Sequence, residues 1–400
     1  MDDIQPITKV MVNTLKILLV EDSETDADLL IRFLKRENIE FNHSRVWNKE
    51  GFINALKEDN HDLIISDQAL PQFSGMEAFH ILKKENKNIP FILITGSVSE
   101  KILTEYVKEG IGDYILKDNL LRLPSAIENV INKKKIEQLH NKLEIAHQDI
   151  KDSINYAKKI QNAMLPDTAL FSNTFPQSFG LFKPKDTLSG DFYWLKKENN
   201  LFFIAVADCT GHGIPGALMS MIGIEKLNHV ILQTKDPAEI LKKLNKSIEI
   251  ALCQSTLHEH SQDGMDIALC SFDKEKGELK FAGANRSLII IRKGQTEIEE
   301  IKGVKKAIGG LRMDLDVEFQ SHEIKIQKGD TFYIFSDGFA DQFGGERKKK
   351  LTTKGFKQLL IDIQDKEMCY QEEYLNDFIE NWKAGTEQVD DILIIGVRQE

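Results

Sequence analysis

Asp191, Asp208, Asp337 and Asp390 lie far apart in the chain, yet each sits in a short glycine- or aspartate-bearing turn beside an apolar, strand-like run. The settings are Ser189-Gly190-Asp191-Phe192-Tyr193, Val206-Ala207-Asp208-Cys209, Phe335-Ser336-Asp337-Gly338 and Val389-Asp390-Asp391-Ile392. Carboxylates gathered within a few ångströms repel one another. Divalent cations remove that cost, and hard oxygen donors suit Mg²⁺ or Mn²⁺. The four residues therefore predict a two-metal hydrolytic centre in the C-terminal half. Two such ions, about 3.5–4 Å apart, would lower the pKa of a bridging water and produce a hydroxide near neutral pH, without a protein nucleophile.

A second acidic set lies near the N-terminus. Glu21, Asp22 and Asp67 could form a cup for one Mg²⁺. Asp67 is the nucleophile of that set, since an ionised carboxylate can accept a phosphoryl group as an acyl phosphate. The Lys117 ammonium would neutralise the incoming oxygens, and the Thr95 hydroxyl would donate to one of them.

The elements that must hold these groups follow from periodicity. From Lys16 to about Leu123 short apolar runs alternate with helical stretches: Ile17–Val20, a weaker run near Val46, Leu63–Ile65, Phe91–Ile94 and Tyr114–Leu116. Such alternation predicts a parallel sheet flanked by helices, with functional residues at the carboxyl ends of its strands. Glu21-Asp22, Asp67, Thr95 and Lys117 all fall there. Ile136, Leu139, Leu143, Ala146, Ile150, Ser153, Ala157, Ile160 and Met164 then recur at 3–4–3–4 spacing, a heptad seam that Pro166 stops. A parallel dimeric coiled coil is the expectation; a single amphipathic helix packed on its own domain is the alternative. Beyond it, strand-rich segments take over at Leu201–Ala207, Gly264–Phe272, Leu279–Ala282, Ser287–Ile291, Thr331–Phe335 and Ile392–Val397. Helical pairs fall at about Pro215–Leu232 with Pro237–Cys253, and Thr353–Ile363 with Gln371–Trp382. Runs of strands with paired helices predict an α+β sandwich.

The N-terminal set resembles the response-regulator receiver domain, over about residues 15–123. The matching residues are Glu21-Asp22 in Leu-Leu-Val-Glu-Asp, Asp67 in Leu-Ile-Ile-Ser-Asp, Thr95 in Ile-Thr-Gly, and Tyr114 with Lys117 in Asp-Tyr-Ile-Leu-Lys. Asp118 stands where that family usually has proline. The resemblance implies that Asp67 is the phosphoacceptor, that the backbone carbonyl of Ala69 completes the Mg²⁺ shell, and that Thr95 and Tyr114 form the switch pair. The stretch Ala207-Asp208-Cys209-Thr210-Gly211-His212-Gly213-Ile214-Pro215-Gly216, with the other three aspartate turns in their order, resembles the metal-dependent PPM serine/threonine phosphatases of the SpoIIE-like branch. This likeness covers about residues 170–398. It implies that Asp208 bridges two Mn²⁺ or Mg²⁺ ions, that the Cys209 carbonyl ligates one of them, and that Asp191, Asp337 and Asp390 complete the shells. Asp390 is preferred over Asp391. His212 either protonates the leaving oxygen or stabilises its loop. Asp263 and Asp266 read as turn carboxylates or as ligands of a loosely held third metal. Asn285 and Arg286 read as a turn near the site without an assigned role, and Arg347–Lys350 as a solvated loop or a contact for an acidic partner.

The expected organisation is a disordered leader at 1–14, a receiver at 15–123, a helical coiled-coil linker at 124–165 and a PPM-type phosphatase domain at 166–400. Composition supports domains of this kind, with 41% apolar and 29% charged residues over 400 positions. A formal charge of −11 argues against nucleic-acid binding, and no helix-turn-helix pattern is present. The four cysteines show no CxxC spacing. No signal-like or membrane-spanning run appears, so a cytoplasmic protein without membrane contact is expected. The expected partners are a cognate histidine kinase, a phosphoserine or phosphothreonine protein of the anti-sigma-factor antagonist kind, and a second copy of the chain. The rival expectation is an inert phosphatase fold acting as a binding adaptor, which would have no use for four mutually repelling carboxylates.

Overall fold

The computed structural model describes residues 14–58, 60–71, 73–96, 106–166, 174–254, 263–310 and 318–400; nearly all of the expected leader lies outside them. The chain divides into two compact units, residues 1–148 and 149–400. No helix among the described residues is long and apolar enough to cross a membrane.

In the first unit, strands Leu15–Val20, Phe41–Val46, Leu63–Asp67, Phe91–Thr95 and Asp113–Leu116 form one parallel sheet with the second strand at its edge and the first beside the third. Each central strand is apolar on both faces because helices cover both. Leu18, Val20, Ile64, Phe91 and Leu93 pack toward the helices Lys49–Lys57 and Gly75–Lys84. Ile17, Leu19, Leu63, Ile65, Ile92 and Ile94 pack toward Glu24–Arg36 and the first turns of Leu123–Met164. Helix starts are set by side chains: Ser23 accepts from the Asp26 amide, Asn48 from Gly51, and Ser74 forms a capping box with Glu77. The strand order reverses between the first and third strands, so a crevice opens at their carboxyl ends.

The helix Leu123–Met164 runs for 42 residues, about 63 Å at ~1.5 Å per residue, and ends two residues before Pro166.

In the second unit two antiparallel sheets pack face to face. One runs, edge to edge, His322–Lys325, Glu278–Ala284, Gly264–Asp273, Leu201–Cys209 and Phe192–Glu198. The other runs Ile298–Ile301, Leu288–Ile291, Thr331–Phe335, Ile392–Arg398 and Ser178–Lys183. Strand alternation sorts the side chains. Ile204, Val206, Ala268, Cys270 and Phe272 meet Ile290, Phe332, Ile334, Leu393 and Ile395 between the sheets. Phe203, Ala205 and Leu269 face outward onto Gly213–Val230 and Pro237–Ala251. On the opposite outer face Tyr333, Phe335 and Ile394 pack under Thr352–Ile363 and Met368–Lys383. The result is the predicted α+β sandwich, in the layer order helix, sheet, sheet, helix. Of the four expected helices, the second starts at Pro237 as expected and the other three start one to three residues early: the first begins at Gly213, with Pro215 inside its first turn where a missing amide costs nothing.

Candidate functional site

At the carboxyl ends of the parallel strands, Glu21, Asp22 and Asp67 bring one oxygen each within 4.8 Å of one another, the sole such triad of potential ligands among the described residues. Asp67 ends its strand and is 7% exposed. Lys117 Nζ donates to Asp67 Oδ2 at 2.7 Å and to Asp26 Oδ2 at 3.3 Å. Burial works against the ammonium, but the Asp67 bond and charge outweigh it and hold its pKa above the ordinary value. Burial, with the nearby Asp67 charge, pushes Glu21 up to about 6. Gly75 is obligatory, since a Cβ there would meet the Asp67 carbonyl at 2.6 Å. Ala69 donates its amide to Asp67 Oδ1 at 3.4 Å. Thr95 ends its strand buried, and the Tyr114 ring is half-buried beside the Arg122 guanidinium. An all-oxygen, partly solvated cup of this kind fits Mg²⁺.

The second constellation is assembled at one end of the two facing sheets. Asp208 continues the parity of Ile204 and Val206, so the same alternation that fills the inter-sheet core delivers its carboxylate to the core's edge. Asp266 lies directly opposite it in the neighbouring strand and shares the parity of Ala268 and Cys270. It is a strand residue, not the turn carboxylate expected. Asp337 follows the strand Thr331–Phe335, and Asp390 precedes Ile392–Arg398. Asp191 precedes Phe192–Glu198 and is 3% exposed.

These carboxylates are close enough to perturb one another. Burial, then the Asp208 charge, holds Asp191 well above the usual carboxylate range. Burial pushes Asp208 up to about 7; the Arg286 charge opposes the rise, whereas Asp337, Asp390 and Asp266 add to it. Burial also raises Asp390, with Asp337 and Asp391 reinforcing it against the pull of the Asp391 amide. Asp191 Oδ2 is buried and has no hydrogen-bond partner. A set of oxygen donors with an unpaired buried oxygen and mutual repulsion fits divalent cations. Unlike the receiver triad, however, no three of these oxygens fall within 4.8 Å of one another.

The neighbouring aspartates Asp390 and Asp391 differ sharply. Asp391 Oδ1 accepts from the Lys185 amide at 2.7 Å and Oδ2 from the Gly190 amide at 2.8 Å, so Asp391 ties down the loop that carries Asp191. Asp390 accepts locally from the Asp391 amide. The glycines let backbones meet: a Cβ on Gly190 would lie 2.5 Å from the Gly211 carbonyl, and one on Gly338 would strike the Asp391 carbonyl. Burial holds the Cys209 thiol well above its ordinary pKa, leaving its carbonyl as the polar group turned to this loop. His212 caps the first helix from outside the core, its Nδ1 2.7 Å from Asp186 Oδ2. Asp263 belongs to the adjoining segment, its carbonyl accepting from Gln254.

Arg286 is the functional residue that sequence reading left without a role. Its Nη2 pairs with Asp208, with Asp337 Oδ2 at 2.9 Å and with Asp266 Oδ2 at 3.4 Å. The signal was present, a single arginine in a glycine-flanked turn among strand-end aspartates, but only strand pairing shows where it reaches.

The model of the family Stage II sporulation protein E (SpoIIE) matches residues 198–400, and that of the response regulator receiver domain matches residues 17–128. The chain belongs to the SpoIIE family. It is a response regulator in which a receiver domain precedes a SpoIIE-type phosphatase domain of the PPM class. It is 28% identical over 250 residues to the phosphoserine phosphatase RsbU of Bacillus subtilis (strain 168), covering 61% of this chain and 69% of RsbU. It is 29% identical over 145 residues to the regulatory protein LuxO of Vibrio vulnificus (strain YJ016), covering 36% of this chain but only 31% of LuxO. Among solved structures, the SiaA-PP2C domain of Pseudomonas aeruginosa superposes with a TM-score of 0.57 at 35% identity, covering 64% of this chain and 99% of that domain.

Proposed function

We propose that the SpoIIE-type half is a divalent-metal-dependent phosphatase acting on phosphoserine or phosphothreonine in a protein of the anti-sigma-factor antagonist kind, and that phosphorylation of Asp67 by a histidine kinase sets its rate. The observation that carries this reading is the meeting of Asp191, Asp208, Asp337 and Asp390, from four separate segments, at the edge of one inter-sheet core. RsbU, a phosphoserine phosphatase in name, supports the substrate class.

Asp208, the Cys209 carbonyl, Asp191, Asp337 and Asp390 would hold two Mn²⁺ or Mg²⁺ ions. Bound there, the ions would supply Lewis acidity and neutralise charge on the phosphoryl oxygens. Asp391 serves as the brace of the Asp191 loop, because backbone amides occupy both its oxygens. As water adds to phosphorus and the P–O bond to serine breaks, His212 delivers a proton from Nε2 to the departing serine oxygen, its ring oriented through Nδ1 by Asp186. In the receiver, an Asp67 oxygen attacks the phosphorus of a phosphohistidine, the P–N bond breaks and the kinase imidazole leaves, Lys117 Nζ offsets the charge on the phosphoryl oxygens, and Glu21, Asp22 and the Ala69 carbonyl would hold Mg²⁺. Thr95 and Tyr114 then shift as the switch pair.

Two features support a relay through the helix Leu123–Met164. Along it Ile136, Leu139, Leu143, Ile150 and Ile160 are 46–68% exposed, an apolar seam that a second copy would cover as a parallel coiled coil. Near its end Gln161, 5% exposed, donates to the Ser189 carbonyl at 2.6 Å and to Ser220 Oγ at 2.9 Å while accepting from the Ser189 amide. A rotation of the helix would thus bear on the loop two residues ahead of Asp191. The test is Mn²⁺-dependent hydrolysis of a phosphoserine protein with and without a beryllofluoride phosphoryl mimic. Asp208→Ala and Asp337→Ala should each lower turnover about 10²–10³-fold, and the mimic should change the rate of the wild type but not of Asp67→Ala. Undiminished turnover in the two aspartate variants would overturn the catalytic reading.

A further inference from the structure

Two described arginines of this unit, Arg292 and Arg286, are bound in different ways. Arg292 is a structural fork: Nε and Nη2 grip Glu299 at 2.8 and 2.7 Å, and Nη1 reaches Asp330 at 2.9 Å and the Lys325 carbonyl at 2.7 Å. Such planar, multiply bonded geometry is what guanidinium groups offer as cross-links. Arg286 is bound otherwise. All three of its ion pairs are made by Nη2, they reach carboxylates on three different segments, and its Nε is buried without a partner. It serves as a point charge placed among the aspartates, and the rest of its bonding capacity is spent poorly.

Its backbone is fixed even so. A Cβ on Gly283 or on Gly303 would collide with the Arg286 carbonyl. Asn285, in the left-handed region at φ 55°, donates its amide to the Val304 carbonyl at 2.8 Å and its side chain to Asp266 Oδ1 at 2.8 Å. The base of the side chain cannot drift, so the guanidinium is either among these carboxylates or swung away on its own long stem. Asp208 and Asp337 are also the residues that the phosphatase reading assigns to the divalent ions.

We propose that Arg286 is the resident counter-cation of the carboxylate centre: it draws on the same aspartates as the divalent ions, must be displaced when they bind, and thereby sets the metal concentration at which the centre fills. This rests on the metal-dependent reading given above. Arg286 is a positioning residue in this role. It holds mutually repelling side chains in place, and it opposes loading by like-charge repulsion with the ions that replace it.

The test is calorimetric titration of the EDTA-stripped full chain with MnCl₂ alone, comparing wild type, Arg286→Gln and Arg286→Lys; the receiver's own site is common to all three and cancels. Arg286→Gln should fill its phosphatase centre at a Mn²⁺ concentration lower by roughly tenfold, about 1.4 kcal/mol, with Arg286→Lys between it and the wild type. The stripped Arg286→Gln protein should also melt earlier than the wild type. A folded Arg286→Gln whose Mn²⁺ midpoint is unchanged or higher overturns the proposal. An unchanged midpoint with a raised KM for phosphoprotein does so too, and reassigns Arg286 to substrate. Should Arg286→Gln lose its cooperative melting transition, Arg286→Lys decides: a midpoint below the wild type supports the proposal, and one equal to it overturns it. Asp208→Ala separates the two readings. If that variant takes up as much Mn²⁺ as the wild type, the metal-centre reading falls, and this one with it.

Discussion

The two acidic sites solve one electrostatic problem in opposite ways. The receiver cup has three carboxylates, one of them exposed, with their oxygens already within 4.8 Å and a lysine beside them. The phosphatase centre has Asp191, Asp208, Asp266, Asp337 and the adjacent pair Asp390 and Asp391 on five segments, with Asp191 and Asp391 almost fully buried, Asp337 open to solvent and one arginine among them. Water reaches Asp22 in the first and Asp337 in the second, but it hardly reaches Asp191 or Asp391, which have no counterpart among the receiver's exposed groups. A solvated cup can tolerate loss of its cation. A buried cluster cannot, so its stability and its loading are tied together.

The sharpest way to break this contrast is to strip metal and raise the pH. In the folded chain the Asp208 carboxyl is pushed up to about 7, chiefly by burial, whereas an unfolded aspartate titrates near 4. Between those values the folded chain holds a proton that the unfolded chain releases, so stability is fully present at low pH and is lost as pH rises toward about 7. Asp191, also raised, acts in the same direction. In EDTA, scanning calorimetry from about pH 5 to about pH 8 should show the phosphatase transition losing on the order of a few kcal/mol, and Mn²⁺ should restore it. Glu21, pushed up to about 6 but half-buried, gives the receiver the same sign over a narrower window and a smaller loss after screening. Equal losses in the two transitions would erase the distinction.

The same contrast explains what could be read from the sequence. Every receiver ligand follows a strand of one parallel sheet, so apolar runs alone place Glu21, Asp22, Asp67, Thr95 and Lys117 together. In the phosphatase half the six central strands were legible as apolar runs. The longer strands missing from those runs, Ser178–Lys183, Ile298–Ile301, His322–Lys325 and Phe192–Glu198, the last marked only by the short run after Asp191, are the four edges of the two sheets. Edge strands carry charge on exposed positions, as in Phe192-Tyr-Trp-Leu-Lys-Lys-Glu198 and Ile298-Glu-Glu-Ile301, and this shortens their apolar pattern. Asp266 and Arg286 were obscured for a related reason. Asp266 belongs to the site because it pairs with Asp208 across two strands, and Arg286 because its turn reaches back over them. Neither fact is local.

Gln161 offers a smaller perturbation with a directional readout. Its amide satisfies both the amide and the carbonyl of Ser189 in a buried setting. Gln161→Ala strands both groups, which costs about 1–3 kcal/mol, and frees the loop ahead of Asp191. In urea unfolding the phosphatase transition should shift by that amount while the receiver transition stays in place, and the response of turnover to beryllofluoride should shrink. A variant with the stability loss but a full beryllofluoride response would leave Gln161 as packing only and move the relay elsewhere.

The smallest expected effect lies in the receiver, and it tests whether screening is the real difference between the sites. Lys117 divides its charge between Asp67 at 2.7 Å and the exposed Asp26 at 3.3 Å. A solvent-exposed ion pair is worth about 0–1 kcal/mol, so Asp26→Asn should release Lys117 toward Asp67 and tighten beryllofluoride binding by no more than about fivefold, within the same range. Because the pair faces water, the gain should fade at high ionic strength, as salt shortens the reach of exposed charges. Titrating the phosphoryl mimic at low and high salt reads both properties at once. An effect that persists at high salt would mean that Asp26 and Lys117 interact in a setting as dry as that of Arg286, and the receiver cup would then obey the same electrostatic rule as the phosphatase centre.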